Sequence, residues 1–546
     1  MKKISVSLLL VCLFLGCCLP IGAQKTDQSG ARSSNSTLHG PTLGLQPPFI
    51  LNGLSQRLAH ATDSANRPKG ISGNSVRAKA NGVGNCPTVQ TLRGFVDDFL
   101  ATPHPDFPGL GSTIPGTSVS FIDQDCGTFT YAAGLRNIED HKQLTPATLM
   151  GIASMTKPII AAVTLILNDR GVFGPNGLDT KVDQLLTGAQ IQALTIGSDP
   201  SNPRCPGVTF LFNRDTGNIE PTPFGCPDLS QVSLRDLMRA NHGMYDFVNE
   251  VFLPDGFRQY SESVYFELYQ FLGLNPIAPP SSERGFDYMK AYGLKQNLSA
   301  TVGGSHVHDF ERSFGNTGFQ LLGIILEQQT AMTLDQLIAE NIVAPLRLDP
   351  IVVYTDTKKQ NNLIADGYEV YTGEPLIEQT GIYPLLNLHG HTAVNTLSLG
   401  LGVPGNINFA GGAGSLIANP KSYQKFLDAF TNGSLLPPQA QSELNNSFIL
   451  VPELSPPQQL FYNGYGLVKV KLRDIPGFPN IDVLYHDGSL PGVLCFNSVA
   501  RAPDSEQNLT TGVVCQNSNS LAYPDQFDLF FEILDKILEK HGITPN

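Results

Sequence analysis

Apolar residues recur at three- and four-residue intervals in two places, one near each end of the chain. Val89, Leu92, Phe95, Val96, Phe99 and Leu100 form the stripe of a helix packed on one side. Phe527, Phe530, Phe531, Leu534, Ile537 and Leu538 form a second, with Pro524 ahead of it and Gly542 behind it as start and stop signals. Just inside these helices lie short β-rich runs. Residues 119–122 and 128–132, joined by Asp123-Gln124-Asp125-Cys126-Gly127, read as a hairpin. Residues 464–472, 481–485, 492–499 and 511–516 read as strands separated by turns. Strands and helices from both ends predict one antiparallel sheet built by the two termini and covered by the terminal helices. From about 160 to 415 the pattern is mostly helical with long loops, a lobe inserted between the strands. The expected class is α/β (α+β). One domain over 86–546 is expected, its α/β part from 86–160 and 460–546 and its helical lobe from 161–459.

Residues 1–23 read as an export signal. Met1-Lys2-Lys3 is a positive start, residues 7–15 a short apolar run, and Ile21-Gly22-Ala23 a cleavage site. Lipidation at Cys17 is the second reading, disfavoured by the Phe14 that opens its motif. Residues 24–85, rich in Ser, Gly, Asn and Gln, read as a flexible pre-segment. No later apolar run is long enough to predict a transmembrane span. Six cysteines remain beyond the leader: Cys86, Cys126, Cys205, Cys226, Cys495 and Cys515. An even number in an exported chain points to disulfides, here between sequence neighbours, with Cys205–Cys226 and Cys495–Cys515 foremost. A periplasmic or secreted location follows.

Composition narrows the function. Apolar residues make up 41% of the 546, enough for a large core, so a wholly disordered chain is excluded. With 35 Lys and Arg against 48 Asp and Glu, the net charge of −13 leaves no basic excess to neutralise phosphates, and nucleic-acid binding is excluded with it. Removing the leader takes away Lys2 and Lys3 and no acid, which moves the charge to −15.

The candidate chemistry starts at Ser154 and Lys157 in Gly151-Ile152-Ala153-Ser154-Met155-Thr156-Lys157. Residues three apart share a helix face, so the amine lies beside the hydroxyl. A Lys held in a dry site loses basicity and can take the hydroxyl proton. The apolar run 159–167 would bury that helix. The spacing alone is weak evidence, because Ser422 and Lys425 repeat it; that copy reads as the polar face of an ordinary helix. Weight comes from order. Ser313-Phe314-Gly315-Asn316-Thr317-Gly318 follows, ahead of an apolar helix, and then Tyr485-His486-Asp487-Gly488-Ser489 at the end of a strand.

In this order of motifs the sequence resembles the serine β-lactamase and DD-peptidase superfamily, most of all the branch of class C β-lactamases, DD-carboxypeptidases and related esterases. Residues 144–149, 234–237 with His242-Gly243-Met244, and 411–415 add to the likeness, which spans roughly 88 to 541. The resemblance implies a split α/β part with an inserted helical lobe. It implies Ser154 as the nucleophile of an acyl-enzyme and Lys157 as its base. Asn316 would bind the substrate amide or carbonyl, His486 would complete the proton network, and the N–H groups of Ser154 and Ser489 would form the oxyanion hole. Such donors are worth about 10²–10³-fold in rate. Phe314, Asp487, Gly488 and Ser489 would line the substrate site. Two departures stand out. Phe314 replaces the family's Tyr, so Lys157 acts alone, another Tyr, such as Tyr245, Tyr288 or Tyr292, enters the site, or the chain is catalytically weak. Asp487 replaces a Thr or Ser and would repel a substrate carboxylate. Both argue against efficient β-lactam turnover and favour neutral esters, amides or lactones, or a chain that binds more than it cuts; if it is an enzyme, an esterase or D-amino-acid peptidase is expected before an efficient β-lactamase.

The expectation is therefore an exported serine hydrolase acting on a small-molecule or peptide substrate without a cofactor or metal. The alternative is an inactive member of the fold that binds or scaffolds. A zinc site from His306 and His308 with Asp309, or from His389 and His391, is the minor third reading. Asn316 as a plain helix N-cap and His486 as a strand-end polar residue are the structural alternatives.

Overall fold

The computed structural model describes residues 85–103, 109–196, 207–213, 218–246, 250–252, 258–260, 289, 294–297, 302–304, 315–353, 363–371, 386–395, 411–452, 461–474, 479–490, 492–503, 505–518 and 526–543. The leader, residues 24–84, Cys205, Tyr288, Tyr292, His306, His308, Asp309, Ser313 and Phe314 lie outside these.

The N-terminal stripe folds as helix α1 (Val89–Ala101), capped by Thr88 and burying Leu92, Val96 and Phe99. The expected hairpin is β1 (Gly116–Asp123) and β2 (Gly127–Asn137), extended by the short β3 (Lys142–Gln143). Helices α2 (Thr156–Asp169), α3 (Leu234–Met238), α4 (Asn316–Thr330) and α5 (Pro420–Asn432) belong to the middle of the chain. The far end supplies β4 (Ile449–Leu450), β5 (Phe461–Asn463), β6 (Val468–Lys471), β7 (Asp482–Leu490), β8 (Val493–Arg501), β9 (Asn508–Gln516) and helix α6 (Gln526–Leu538). The run 464–472 is not one strand. Gly466, at φ 68°, turns the chain between β5 and β6.

These strands form one antiparallel sheet in the order β4-β5-β6-β7-β8-β9-β1-β2-β3. The N-terminal hairpin closes onto the last strand, with Val119 opposite Val514. Both faces are covered, which is why β1, β8 and β9 are almost continuously buried. On one face Phe121 of β1 and Phe496 of β8 meet Phe530 of α6 at 5.1 and 4.8 Å between ring centroids. On the other face α5 presents Tyr423, Phe426 and Phe430, all fully buried. Its Asp428 accepts hydrogen bonds from Asn508 (2.9 Å) and Thr511 (3.0 Å) of β9.

The middle of the chain is less uniformly helical than its pattern suggests. Among the described residues it carries hairpins such as Gly207–Asn213 with Asn218–Gly225, and small sheets that include Tyr368–Tyr371, Leu386–Leu388 and His391–Asn395. Disulfides Cys86–Cys126 and Cys495–Cys515 are formed, the second between residues directly opposite on β8 and β9. Cys226 is also disulfide-bonded. Among the described residues no helix is long and apolar enough to cross a membrane.

Candidate active site

Two residues of strand, Met150–Gly151, pair with Leu416–Ala418 and lead into a tight turn. Ala153 sits in the left-handed region at φ 47°, a conformation costing a side chain on the order of 1 kcal/mol. It starts the 3₁₀ turn Ala153–Met155, which runs directly into α2. Neighbouring elements hold this turn. The Ile152 N–H donates to the Leu416 carbonyl (3.0 Å), the Leu416 N–H to the Thr156 hydroxyl (3.2 Å), and the Tyr423 hydroxyl to the Met155 carbonyl (2.8 Å). Ser154 is thereby fixed at the head of a helix that is buried from Thr156 to Leu167.

One turn along, the Lys157 side-chain nitrogen lies 2.8 Å from Ser154 Oγ, 2.7 Å from Asn316 Oδ1 and 3.1 Å from the Ala413 carbonyl oxygen. Lys157 is 1% exposed, and burial pulls its pKa from 10.5 to about 7 against the opposing pull of Asp246 and Asp487. Proteins seldom bury Lys, so this site maintains a near-neutral amine at a real cost in stability. The two carbonyl oxygens can only accept hydrogen bonds, whereas the serine hydroxyl can donate. A neutral amine that gives its hydrogens to Asn316 and Ala413 therefore aims its lone pair at the Ser154 proton.

Asn316 is held from behind. Its Nδ2 donates to Asp246 Oδ2 at 2.8 Å, and Asp246 is fully buried. The carboxylate fixes which end of the amide is oxygen, so the oxygen faces Lys157. Gly315, at φ 87°, occupies the N-cap of α4, and Asn316 is its first helical residue. Asn316 is thus not the N-cap. Ala413 reaches Lys157 because the Gly411–Gly414 loop lies flat on α4: a Cβ on Gly412 would come within 2.4 Å of the Phe319 carbonyl oxygen.

Strand β7 runs past the same turn. Its pairing with β6 ends at Tyr485, while its pairing with β8 continues to Leu490. From His486 onward its outer edge has no strand partner among the described residues. Gly488 makes the approach possible, since a Cβ there would lie 2.2 Å from the Ile152 carbonyl oxygen. His486 is buried, and its ring Nδ1 bonds the Asp487 carbonyl oxygen. Burial and the nearby Lys157 charge lower its pKa to about 3, so the imidazole is neutral, with Nδ1 the donor. The side chain of Asp487 is one-fifth exposed. Burial raises its pKa to about 6, against the pull of Lys157.

Ser154, Lys157 and Asn316 therefore meet, with His486, Asp487, Gly488 and Ser489 on the strand alongside; Phe314 lies outside the described residues. The second Ser-x-x-Lys pair does not make a site. Ser422 is buried in the first turn of α5, its N–H donating to Asn419, and Lys425 is exposed. His389 and His391 diverge. His389 sits exposed on a turn, while His391 is buried with Nε2 2.9 Å from the Gly111 carbonyl oxygen. Sequence reasoning missed Asp246 and the Ala413 carbonyl. The available signal for Asp246 was its place two residues beyond the His242-Gly243-Met244 stretch.

No curated protein is significantly similar to the chain in sequence. Among solved structures it is similar to the D-amino acid amidase from Ochrobactrum anthropi SV3 in complex with L-phenylalanine amide, with a TM-score of 0.54 at 17% identity over 83% of this chain and 99% of that one. It is similar to a D-stereospecific amidohydrolase from Streptomyces sp., with a TM-score of 0.50 at 18% identity over 81% and 98%. It is also similar to EstCE1, described as a hydrolase with promiscuous acyltransferase activity, with a TM-score of 0.51 at 15% identity over 82% and 99%. At these identities the likeness is one of fold. The Beta-lactamase family profile matches residues 92–520, most of the described sheet and every residue of the Ser154 cluster, and the chain belongs to that family.

Proposed function

We propose that the chain is an exported serine hydrolase that opens an ester, amide or lactam through an acyl-enzyme on Ser154. The observation that carries this reading is the 2.8 Å contact between Lys157 and Ser154, made by an amine whose pKa burial brings to about 7. Lys157 takes the proton as Ser154 Oγ bonds to the substrate carbonyl carbon. The carbonyl oxygen becomes an oxyanion facing the N–H groups of Ser154 and Ser489. As the tetrahedral species collapses, the carbon–heteroatom bond breaks and the Lys157 ammonium protonates the leaving group. Water then enters, gives a proton to Lys157 and attacks the acyl carbon, and Ser154 leaves as the alcohol. Asn316 holds the amine in place, and neutral His486 borders the same chamber without competing for its proton.

The solved structures that share the fold include enzymes named as amidases and a hydrolase with acyltransferase activity, which supports ester and amide substrates. The signal-like residues 1–23 and the disulfides support export. The test is acylation by a fluorophosphonate, a penicillin and an activated ester, read by mass spectrometry. The expected result is one adduct that maps to Ser154 and vanishes in Ser154→Ala. Absence of any adduct in folded protein would mean that the chain binds without cutting.

A further inference from the structure

Among the described residues the charges of the site do not balance in its working state, and that imbalance points to the substrate. Lys157 must be neutral to accept the serine proton, so its charge is absent when substrate is engaged. His486 is neutral and buried. Among the described residues, two carboxylates act on Lys157. Asp246 is fully buried and occupied by the Asn316 amide, out of reach of any ligand. Asp487 is different. It stands on β7 between His486 and Gly488, the residue that meets the nucleophile turn, on the stretch whose outer edge lacks a strand partner among the described residues. Its carboxylate is one-fifth exposed. The group nearest it in ion-pair range among the described residues is His486 Nδ1, at 4.0 Å. Among the described residues, the titratable groups coupled to it are Lys157, Tyr485 and His486, and in the working state none of these carries a positive charge.

We propose that the site selects substrates carrying an ammonium group close to the scissile carbonyl, and that Asp487 is the side chain that recognises it. The proposal rests on the hydrolase reading, which places the carbonyl oxygen at Ser489. Two residues of strand separate Ser489 from Asp487, roughly 7 Å, so the cation belongs a few bonds from the carbonyl. A cation there also opposes protonation of Lys157 and of Asp487, which favours the working state of both groups. A substrate carboxylate would do the reverse.

The test compares p-nitrophenyl esters of 3-aminopropanoate, butanoate and succinate in the wild type and in Asp487→Asn. The ratio between the two proteins cancels the intrinsic reactivity of each ester. The expected kcat/KM for the amino ester falls about tenfold in Asp487→Asn relative to butanoate, while that for the succinyl ester rises about tenfold. Unchanged ratios would overturn the proposal. Binding decides it independently of turnover: Ser154→Ala should bind 3-aminopropanamide more tightly than succinamate, with the preference lost in Ser154→Ala/Asp487→Asn. Equal binding would overturn it. If no ester is cleaved and Ser154 is never acylated, the hydrolase reading fails, and the amide comparison still decides whether Asp487 recognises a cation.

Discussion

Replacing Lys157 with Met should flatten the pH dependence of stability. The amine titrates at about 7 in the folded chain and at 10.5 when exposed. Between those values the unfolded chain holds a proton that the folded chain does not, so folding stability rises with pH through this window. One pKa unit corresponds to about 1.36 kcal/mol. The penalty of burying the amine is therefore about 5 kcal/mol at pH 6, falling to about 4 at pH 7.5 and about 1.5 at pH 9.5. From pH 7.5 to 9.5 the wild type should gain about 2–3 kcal/mol relative to Lys157→Met. The absolute offset between the two proteins is less informative, because the variant also strips a donor from Asn316 and Ala413, at about 1–3 kcal/mol for each orphaned acceptor. The slope is clean. Lys295, whose pKa burial lowers to about 8, contributes equally to both proteins and cancels. Asp487 has already ionised below this window. The measurement is the urea midpoint and m-value of both proteins, disulfides intact, at half-unit pH steps. Parallel curves would refute the reasoning: they would mean that Lys157 stays an ammonium in the fold, and an ammonium cannot take the serine proton.

Two further outcomes are expected. Asp246→Asn removes a charge that holds the Lys157 pKa up, so the acid limb of kcat/KM should move to lower pH while kcat drops about 10–100-fold as the Asn316 amide loses its charge-assisted anchor; a lower kcat with an unmoved limb would reduce Asp246 to packing. Gly488→Ala puts a methyl 2.2 Å from the Ile152 carbonyl oxygen, so β7 must retreat from the turn, and kcat should fall about 100-fold with the thermal midpoint little changed; wild-type turnover would show that β7 is not part of the site.

How much of the fold and site is legible in the sequence depends on what each residue's role requires. Ser154 and Lys157 share one helical turn, so local spacing exposes them, and the apolar run behind them announces the burial that tunes the amine. The Ser422 and Lys425 copy shows the limit of spacing: its hydroxyl is buried and its amine exposed, a difference that only tertiary packing decides. Asn316 is readable from the order of motifs, 159 residues beyond Lys157. Asp246 is not, because its partner lies 70 residues away and no periodicity joins a loop carboxylate to a helix start. The Ala413 carbonyl carries no side-chain signature at all; only the glycines around it hint that backbone must come close. The terminal helices and most strands can be read because each buries a regular stripe. The run 464–472 misleads because its apolar residues continue through a turn, and only the backbone angle of Gly466 separates the two strands.

Splicing the first hairpin onto the last strand has a consequence for biosynthesis. The Thr117 hydroxyl bonds the Cys515 carbonyl across 398 positions of sequence. A ribosome adding about 5–20 residues per second delivers Ser154 tens of seconds before β9, the strand that ties β8 and β7 to β1. Until then the emerging polypeptide carries Ser154 and Lys157 without the strands that stand beside them in the fold. Under the proposed mechanism, the order of synthesis therefore withholds the complete site until the last strand is made.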